Sequence, residues 1–189
     1  MQLMVDCNFR SVFLGIETPD EDSLELTHKY QNNRNPLNEA VEKIIRSGLR
    51  VMAGFIIGFD GEKKGAGDRI AKFVEETTIP TAMFSMLQVL PYTALWHRLK
   101  KEGRLLDKGA NINQVTLTNF IPTRPIEDIA TEYVEAFWQL YDYEKFLDRT
   151  YRHFLIMGAP TTKSAAKMPS WIELRALLTI CLLYTSDAA

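Results

Sequence analysis

The chain has 189 residues, of which 46% are hydrophobic and 24% are charged, and its formal net charge is −2. This composition is ordinary for a folded globular protein, and the lack of a Lys/Arg stripe argues against nucleic acid or an anionic membrane surface as a partner. No apolar run reaches the roughly 18 residues of a membrane span, and the first ten residues, "MQLMVDCNFR", do not have the basic start and long apolar stretch typical of a signal peptide. With only Cys7 and Cys181, the sequence predicts a cytoplasmic location and no disulfide framework.

Apolar runs of strand length alternate with helical patterns over the first part of the chain. Val12–Ile16 is continuously apolar, which predicts a strand that is buried on both faces. Further strands are predicted over Arg50–Phe59 and Ala82–Leu90. Helices are predicted from Thr18 to about Tyr30, from Asn35-Pro36 to a stop at Gly48 with an apolar face over Leu37–Ile45, around Ile70–Thr77, and from about Ala94 to Glu102.

This order predicts an α/β fold with a parallel sheet, because alternating strands and helices imply right-handed crossovers. Three strands do not complete such a sheet, so residues 1–103 are expected to form the second half of a larger unit. Residues 104–125 have weak periodicity and are predicted to be a linker. Residues 126–180 are aromatic-rich and predict an α-helical domain.

The last nine residues, "CLLYTSDAA" at positions 181–189, have an unusual explanation. The DNA sequence tgtctcttatacacatctgacgctgcc would encode them, and it resembles a transposase sequencing adapter translated as protein. We expect this segment to be a non-native tail and the chain to be a fragment of a longer protein.

Ligands of parallel α/β folds bind at the carboxyl ends of the strands. This rule nominates Glu17, the edge at Gly58, and the edge that begins at Leu87. Glu17 could balance the positive end of the following helix, but Thr18 and Glu21 form a capping box there, which leaves Glu17 available for a ligand. Glycines within a strand, such as Gly54, indicate close approach of a ligand or tight packing.

Other familiar sites are not indicated. His28, His97 and His153 have no metal-ligand spacing, and no glycine-rich nucleotide motif or nucleophile elbow is present. The loop "DGEKKGAGD" is interpreted as a solvated turn rather than a phosphate loop.

Three segments in order, "VFLGIETPDEDSL", "GLRVMAGFIIGFDGE" and "MFSMLQVLPYTALWHRLKKEGRLL", resemble the radical S-adenosylmethionine superfamily. They are most similar to its cobalamin-binding branch, which carries a C-terminal helical domain of unknown function. The segment "LTNFIPTRPIEDIATEYVEAFWQLYDYEKFLDRTYRHF" resembles that domain. The resemblance covers roughly residues 3–180.

The resemblance implies a (β/α) partial barrel in which a [4Fe–4S] cluster, held by a CxxxCxxC loop, cleaves S-adenosylmethionine to a 5′-deoxyadenosyl radical. Glu17 corresponds to a polar residue near the ribose or amino acid part of S-adenosylmethionine. The other residues that the resemblance places around the adenosine are Gly54, Ile57, Gly58, Leu87 and Gln88.

The CxxxCxxC motif and a cobalamin-binding segment are missing, so the ligands of both cofactors are expected outside this chain and no metal ligand within it. The isolated chain is therefore expected to be inactive. The parent is expected to be an enzyme, a cobalamin-dependent methyltransferase acting on an unactivated carbon of a small hydrophobic substrate, with an electron donor for its cluster. Two alternatives stay open: a small non-catalytic α/β ligand-binding module, and a fragment of another (β/α) barrel enzyme.

Overall fold

The computed structural model describes residues 1–19, 37–106, 116–158 and 168–186. The chain divides into two compact units, Met1–Ala159 and Pro160–Ala189. The helix predicted after Thr18, with Glu21 in its capping box, lies outside the described residues, as does His28.

The first unit combines a three-stranded sheet with helices. Its strands are β1 (Ser11–Glu17), β2 (Arg50–Ile57) and β3 (Thr81–Met86). Its described helices are α1 (Gln2–Asp6), α2 (Leu37–Arg46), α3 (Ala66–Thr77), α4 (Ala94–Lys101), α5 (Ile126–Tyr141) and α6 (Tyr143–Met157). The helices that surround the sheet thus include the two that follow the predicted linker.

The three strands form one parallel sheet in the order β1-β2-β3, which confirms the α/β class. Two strands end earlier than predicted. β2 ends at Ile57 because the next residue, Gly58, has a φ of +102° and turns the chain away. β3 ends at Met86, and the residues after it exchange hydrogen bonds with the segment around Asn119 instead of continuing the sheet.

One face of the sheet forms the hydrophobic core. Alternate residues of β2, including Ala53, Phe55 and Ile57, are buried there, and Phe84 of β3 joins them. Val41 and Ile45 of α2 pack into the same core, as the apolar spacing predicted. The alternation of burial follows from the period of two along a strand, so Gly54 and Ile56 lie on the other, more open face.

Helix α3 approaches α5 closely at Gly67. A Cβ atom on Gly67 would lie 2.5 Å from the backbone oxygen of Glu132, so a glycine is required for the two helices to pack at this distance. Ile129, Ala136 and Leu140 of α5 are buried in the same core. This packing brings the start of α5 next to the loop that follows β2.

The carboxyl end of α3 is held by side chains of α6. Arg149 is fully buried; it donates to the carbonyl oxygens of Ile79 and Leu140 at 3.0 and 2.7 Å and forms an ion pair with Glu75. Nδ1 of buried His153 lies 3.0 Å from the carbonyl oxygen of Thr78, and burial lowers the pKa of His153. A neutral imidazole that donates from Nδ1 fits this partner.

The second unit contains helix α7 (Trp171–Ser186). Ser170 and Glu173 form a capping box at its start: the backbone N–H of Ser170 donates to Glu173 at 2.7 Å, and the N–H of Glu173 donates to the Ser170 hydroxyl at 3.3 Å. The helix continues past Ile180, where the predicted helix ends. That residues 181–189 are a non-native tail stays a prediction.

Candidate functional site

The chain makes a γ-turn at Glu17, where β1 ends. The N–H of Thr18 donates to the carbonyl oxygen of Ile16 at 2.9 Å, and Glu17 between them has a φ of +67°. A γ-turn with positive φ is rare and strained for a non-glycine residue, and such strain concentrates at functional sites. The turn also interrupts the register of β1 against β2 between Gly15 and Glu17.

The turn folds the side chain of Glu17 back over its own strand. A Cβ atom on Gly15 would lie 2.9 Å from Oε1 of Glu17, so the carboxylate occupies the space above this glycine. Gly15 pairs with Gly54 of the neighbouring strand. A Cβ atom on Gly54 would lie 2.9 Å from the ring of Phe13, which is 54% exposed. The open face therefore carries a carboxylate and an aromatic ring above two adjacent glycines.

The edge after β2 is organised by Gly58 and Glu62. The N–H of Gly58 donates to Oε2 of Glu62 at 2.8 Å, and the glycine is buried against Thr118 and Ile129. Only a glycine adopts the φ of +102° found here without strain. Ile57, beside it, has its side chain fully buried in the core, so it presents backbone rather than side chain to this edge.

Glu62 is a buried carboxyl group in a mixed charge environment. Its side chain has no exposed surface, and Nη1 of Arg124 lies 3.2 Å from Oε2. Oε1 is buried without a hydrogen-bond partner among the described residues. Burial raises the pKa of Glu62 to about 7, against the lowering effects of the Gly58 N–H and Arg124.

The amino end of α3 is occupied by Glu132 of α5. Its two carboxylate oxygens accept from the N–H groups of Gly65 and Ala66 at 2.9 and 3.1 Å, and Arg124 bonds to the same carboxylate. The helix start that would bind a phosphate is thus filled by a side chain. This agrees with rejecting a phosphate loop, but the segment is more buried than the predicted solvated turn, because Glu62 and Ala66 lie inside.

Two arginines hold the side chain of Asp60 in the same loop. Arg104 donates to both oxygens of Asp60, at 2.9 and 2.6 Å, and Arg98 donates to Oδ2 at 2.8 Å. The hydrogen bond from Arg104 lowers the pKa of Asp60 below its usual value. The bidentate geometry makes this pair more than a loose surface contact.

The edge after β3 is held by the segment that precedes α5. The N–H of Leu87 donates to the carbonyl oxygen of Ile57 at 2.8 Å, which joins the two strand ends. Nε2 of Gln88 donates to the carbonyl oxygens of Thr116 and Leu117, at 3.1 and 2.8 Å. Asn119 exchanges two hydrogen bonds with the backbone of Val89, at 2.8 and 2.9 Å. Leu87 is buried, so at this edge Gln88 is the more accessible predicted residue.

The structure therefore brings the six predicted residues to the carboxyl half of one sheet, in two groups. Glu17 and Gly54 lie on the open face, whereas Ile57, Gly58 and Leu87 adjoin one another at the strand ends, with Gln88 next along the chain. The sequence reasoning missed the residues that hold these ends: Arg104, Asn119, Arg124 and Glu132. Their partners are far away in the chain, and no local spacing signals such pairs.

A cleft of about 490 Å³ among α3, α5 and α6 is lined by charged residues such as Lys72, Glu75 and Asp148, and it contains none of the predicted site residues. Within the described residues, no cluster of three or more His, Cys, Asp or Glu could hold a metal ion. In the same part of the chain, no helix combines the length and apolar character needed to cross a membrane.

Comparison with known proteins finds one matching family model and two similar relatives. Residues 93–185 match the family model described as a domain of unknown function, DUF4070. The chain is 67% identical, over 94% of its length and 33% of the relative's, to the uncharacterized methyltransferase sll1242 of Synechocystis sp. PCC 6803. It is 34% identical, over 76% of its length and 28% of the relative's, to the hopanoid C-2 methylase of Rhodopseudomonas palustris TIE-1.

This chain is similar to proteins named as methylases. It spans about a third of the length of the curated relatives that it matches. The DUF4070 match begins at Thr93, at the start of α4, and includes Arg104, Asn119, Arg124 and Glu132. The side chains that hold the strand ends thus come from the region whose family model has no assigned function.

Proposed function

We propose that this chain is part of a radical S-adenosylmethionine methylase and forms the adenosine side of its S-adenosylmethionine pocket. The observation that carries this proposal is the 67% identity, over 94% of the chain, to a protein named as a methyltransferase. The three sequence segments that resemble the superfamily lie in the matched part of the chain. In this reading the sheet of β1, β2 and β3 is the second half of a (β/α) barrel.

The chemistry of the strand ends fits an adenosyl group. The carboxylate of Glu17 is an acceptor suited to ribose hydroxyls or to the ammonium group of S-adenosylmethionine. Gly15 and Gly54 let the carboxylate of Glu17 and the ring of Phe13 lie directly against the sheet, so both groups are presented together on its open face. The turn at Gly58 would border the adenine, and Gln88 would border the adenosine from the next strand.

When bound, S-adenosylmethionine supplies the group whose reductive cleavage starts radical chemistry in this superfamily. The residues of this chain would bind and orient its adenosyl part. For the [4Fe–4S] cluster, the described residues offer no set of metal ligands. The cluster, cobalamin and the electron donor that the cluster needs are proposed for the longer parent.

The substrate class follows from one relative. The protein with 34% identity is named a hopanoid C-2 methylase, and hopanoids are apolar polycyclic lipids. We therefore propose an apolar molecule as substrate of the parent and an unactivated carbon as the methylated position.

A chimera tests the enzymatic part of this proposal. Residues of this chain would replace the matching third of the Synechocystis methyltransferase, and the reconstituted protein would be assayed without oxygen for release of 5′-deoxyadenosine from S-adenosylmethionine. We expect release from the chimera and none from the isolated 189-residue chain, which should also hold no stoichiometric iron. An inactive chimera beside an active Synechocystis parent would contradict the proposal.

Substitution of Glu17 tests the site itself. We expect Glu17→Ala to weaken S-adenosylmethionine binding to the chain roughly tenfold, since it removes a charge-assisted hydrogen bond. The matched control is Glu39→Ala, which removes an exposed carboxylate on α2. Equal affinities for the two variants would return Glu17 to a structural role.

A further inference from the structure

Glu62, Arg124 and Glu132, here called the Glu62 cluster, connect the loop after β2 to helix α5. Arg124 precedes α5 and is 13% exposed, and it contacts a carboxylate on each side. Glu62 and Arg124 are far apart in the chain, so their contact joins two regions that no backbone ladder connects. The cluster is the most buried set of charges near the predicted ligand site among the described residues.

Each carboxylate of the cluster accepts hydrogen bonds from a different end of the loop between β2 and α3. Glu62 accepts the N–H of Gly58 at the end of β2, and Glu132 accepts the N–H groups of Gly65 and Ala66 at the start of α3. Arg124 bonds to both carboxylates and so fixes the distance between the two anchored points. Its Nη1 also lies 3.4 Å from the carbonyl oxygen of Lys63, between them.

The cluster leaves one carboxyl oxygen without a hydrogen bond. Glu62 and Glu132 both bond to Arg124, and Arg69 also faces Glu62, but Oε1 of Glu62 is buried without a partner among the described residues. A buried carboxylate with incomplete hydrogen bonding is held in place at a free-energy cost, which the fold tolerates only if other contacts define its position. Arg124 is the contact that does so from outside the loop.

We propose that Arg124 is a positioning residue for the adenosine edge: it holds Glu62 against the N–H of Gly58 and thereby sets the backbone that the ligand meets. This inference rests on the proposed function, because it takes Gly58 to border the adenine. It assigns a role to part of the DUF4070 region, which would complete the ligand edge of the preceding sheet. Arg124 is not proposed to touch the ligand.

The protonation of Glu62 gives this role a distinctive readout. The groups that face Glu62 are the Gly58 N–H from β2, Arg124, Glu132 from α5, and Arg69 from α3. The pKa of Glu62 is raised to about 7: burial is the main cause and Glu132 adds to the rise, whereas the N–H of Gly58, Arg124 and Arg69 oppose it. The ionised form is the stronger acceptor for the N–H of Gly58, so this hydrogen bond should strengthen as pH rises through neutrality.

The test uses the full 189-residue chain and 5′-methylthioadenosine, an adenosyl probe without an amino acid group that titrates near neutral pH. Binding would be followed by NMR through the Gly58 amide between pH 5.5 and 8.5. We expect the affinity of the wild-type chain to rise with a midpoint near 7. Arg124→Gln should lower the affinity at pH 7 roughly tenfold and move the midpoint to higher pH, because the guanidinium favours the ionised carboxyl group.

Two further variants separate positioning from general damage. Glu62→Gln keeps an acceptor for Gly58 but cannot ionise, so its affinity should not change with pH. Arg124→Lys keeps a positive charge and should recover part of the affinity. The matched control is Arg46→Gln, which breaks a guanidinium–carboxylate pair between exposed side chains of α2, and it should match the wild-type chain.

The outcomes distinguish this inference from the proposed function. If the wild-type chain binds neither 5′-methylthioadenosine nor S-adenosylmethionine, the proposed function fails. If the wild-type chain binds the probe and Arg124→Gln binds it equally well with the same pH midpoint, the positioning role of Arg124 is overturned. If Glu62→Gln keeps the pH dependence of the wild-type chain, another group titrates, and the inference is likewise overturned.

Discussion

The two ends of helix α3 are held by side chains of opposite charge, and both sets come from the helices that follow the sheet. At the amino end, Glu132 of α5 caps the helix; at the carboxyl end, Arg149 and His153 of α6 meet the backbone carbonyl oxygens. Both arrangements match the helix dipole, which favours negative charge at the amino end and donors at the carboxyl end.

The two ends differ in the kind of buried group that lacks a partner. At the carboxyl end, all three guanidinium nitrogens of Arg149 have partners, whereas Nε2 of His153 and Oγ1 of Thr78 are buried without one among the described residues. At the amino end, the group without a partner there is a carboxyl oxygen, Oε1 of Glu62, and the pKa of this residue is raised to about 7. The carboxyl end thus leaves neutral groups unpaired, whereas the amino end leaves part of a titratable group unpaired next to the predicted ligand site. Titratable groups with perturbed pKa values cluster at functional sites.

The largest predicted effect concerns the carboxyl end. Arg149→Met should lower the free energy of unfolding by about 3–5 kcal/mol, because the carbonyl oxygens of Ile79 and Leu140 lose their donor and Glu75 loses a buried partner. Urea unfolding would measure this. Arg152→Met, which removes a half-exposed partner of the same Glu75, should cost about 1 kcal/mol or less. Equal losses for the two variants would show that burial of Arg149 does not decide the stability of this end.

The next prediction separates the two ends by their pH dependence. The pKa of Glu62 is raised in the fold from 4.5 to about 7, so its contribution to stability is complete below 4.5 and is lost as pH rises through 7. His153, whose pKa is lowered, contributes stability above 6.5 that is lost as pH falls.

Through Glu62, the free energy of unfolding of the wild-type chain should fall by roughly 3 kcal/mol at most between pH 5 and 8. Glu62→Gln should not show this decrease, and urea unfolding at both pH values would measure it. The control is Glu135→Gln, which replaces an exposed carboxyl group on α5. A pH dependence in Glu62→Gln as steep as in the wild-type chain would assign the titration to another group.

A third prediction concerns the packing at Gly67 that brings α5 to the amino end of helix α3. Gly67→Ala should cost about 2 kcal/mol, because its Cβ atom would meet the backbone oxygen of Glu132 and push the helices apart. Gly103→Ala should cost about 1 kcal/mol, since only its positive φ opposes the substitution and no atom lies within 4 Å. If Gly67→Ala is the milder of the two in thermal or urea unfolding, α3 and α5 do not pack as tightly as described.

The smallest effect on stability is expected at Glu17. Its positive φ suits glycine, so Glu17→Gly should be more stable than Glu17→Ala by about 0.5–1 kcal/mol. Both variants should bind S-adenosylmethionine more weakly than the wild-type chain. A Glu17→Gly variant that gains no stability over Glu17→Ala would show that the γ-turn is not strained.

The sequence allowed the sheet to be predicted because its strands are local apolar runs, and Val12–Ile16 falls within β1. It also allowed the strand ends to be nominated as a site, since that rule needs only the order of strands and helices. It did not reveal the ends of β2 and β3, because Phe59 and Leu90 are apolar but lie in turns that long-range contacts determine. The pairing of Arg124 with Glu62 was likewise invisible, because it depends on tertiary packing rather than on spacing along a helix or strand.

The most direct test of the proposed ligand site is a titration of S-adenosylmethionine into the ¹⁵N-labelled chain. The amide signals of Gly15, Gly54 and Gly58 report on the open face and on the end of β2. We predict saturable shifts of these three signals, with much smaller shifts in α6. No shifts, or shifts confined to α6, would contradict the proposal that the carboxyl half of this sheet binds the adenosyl group.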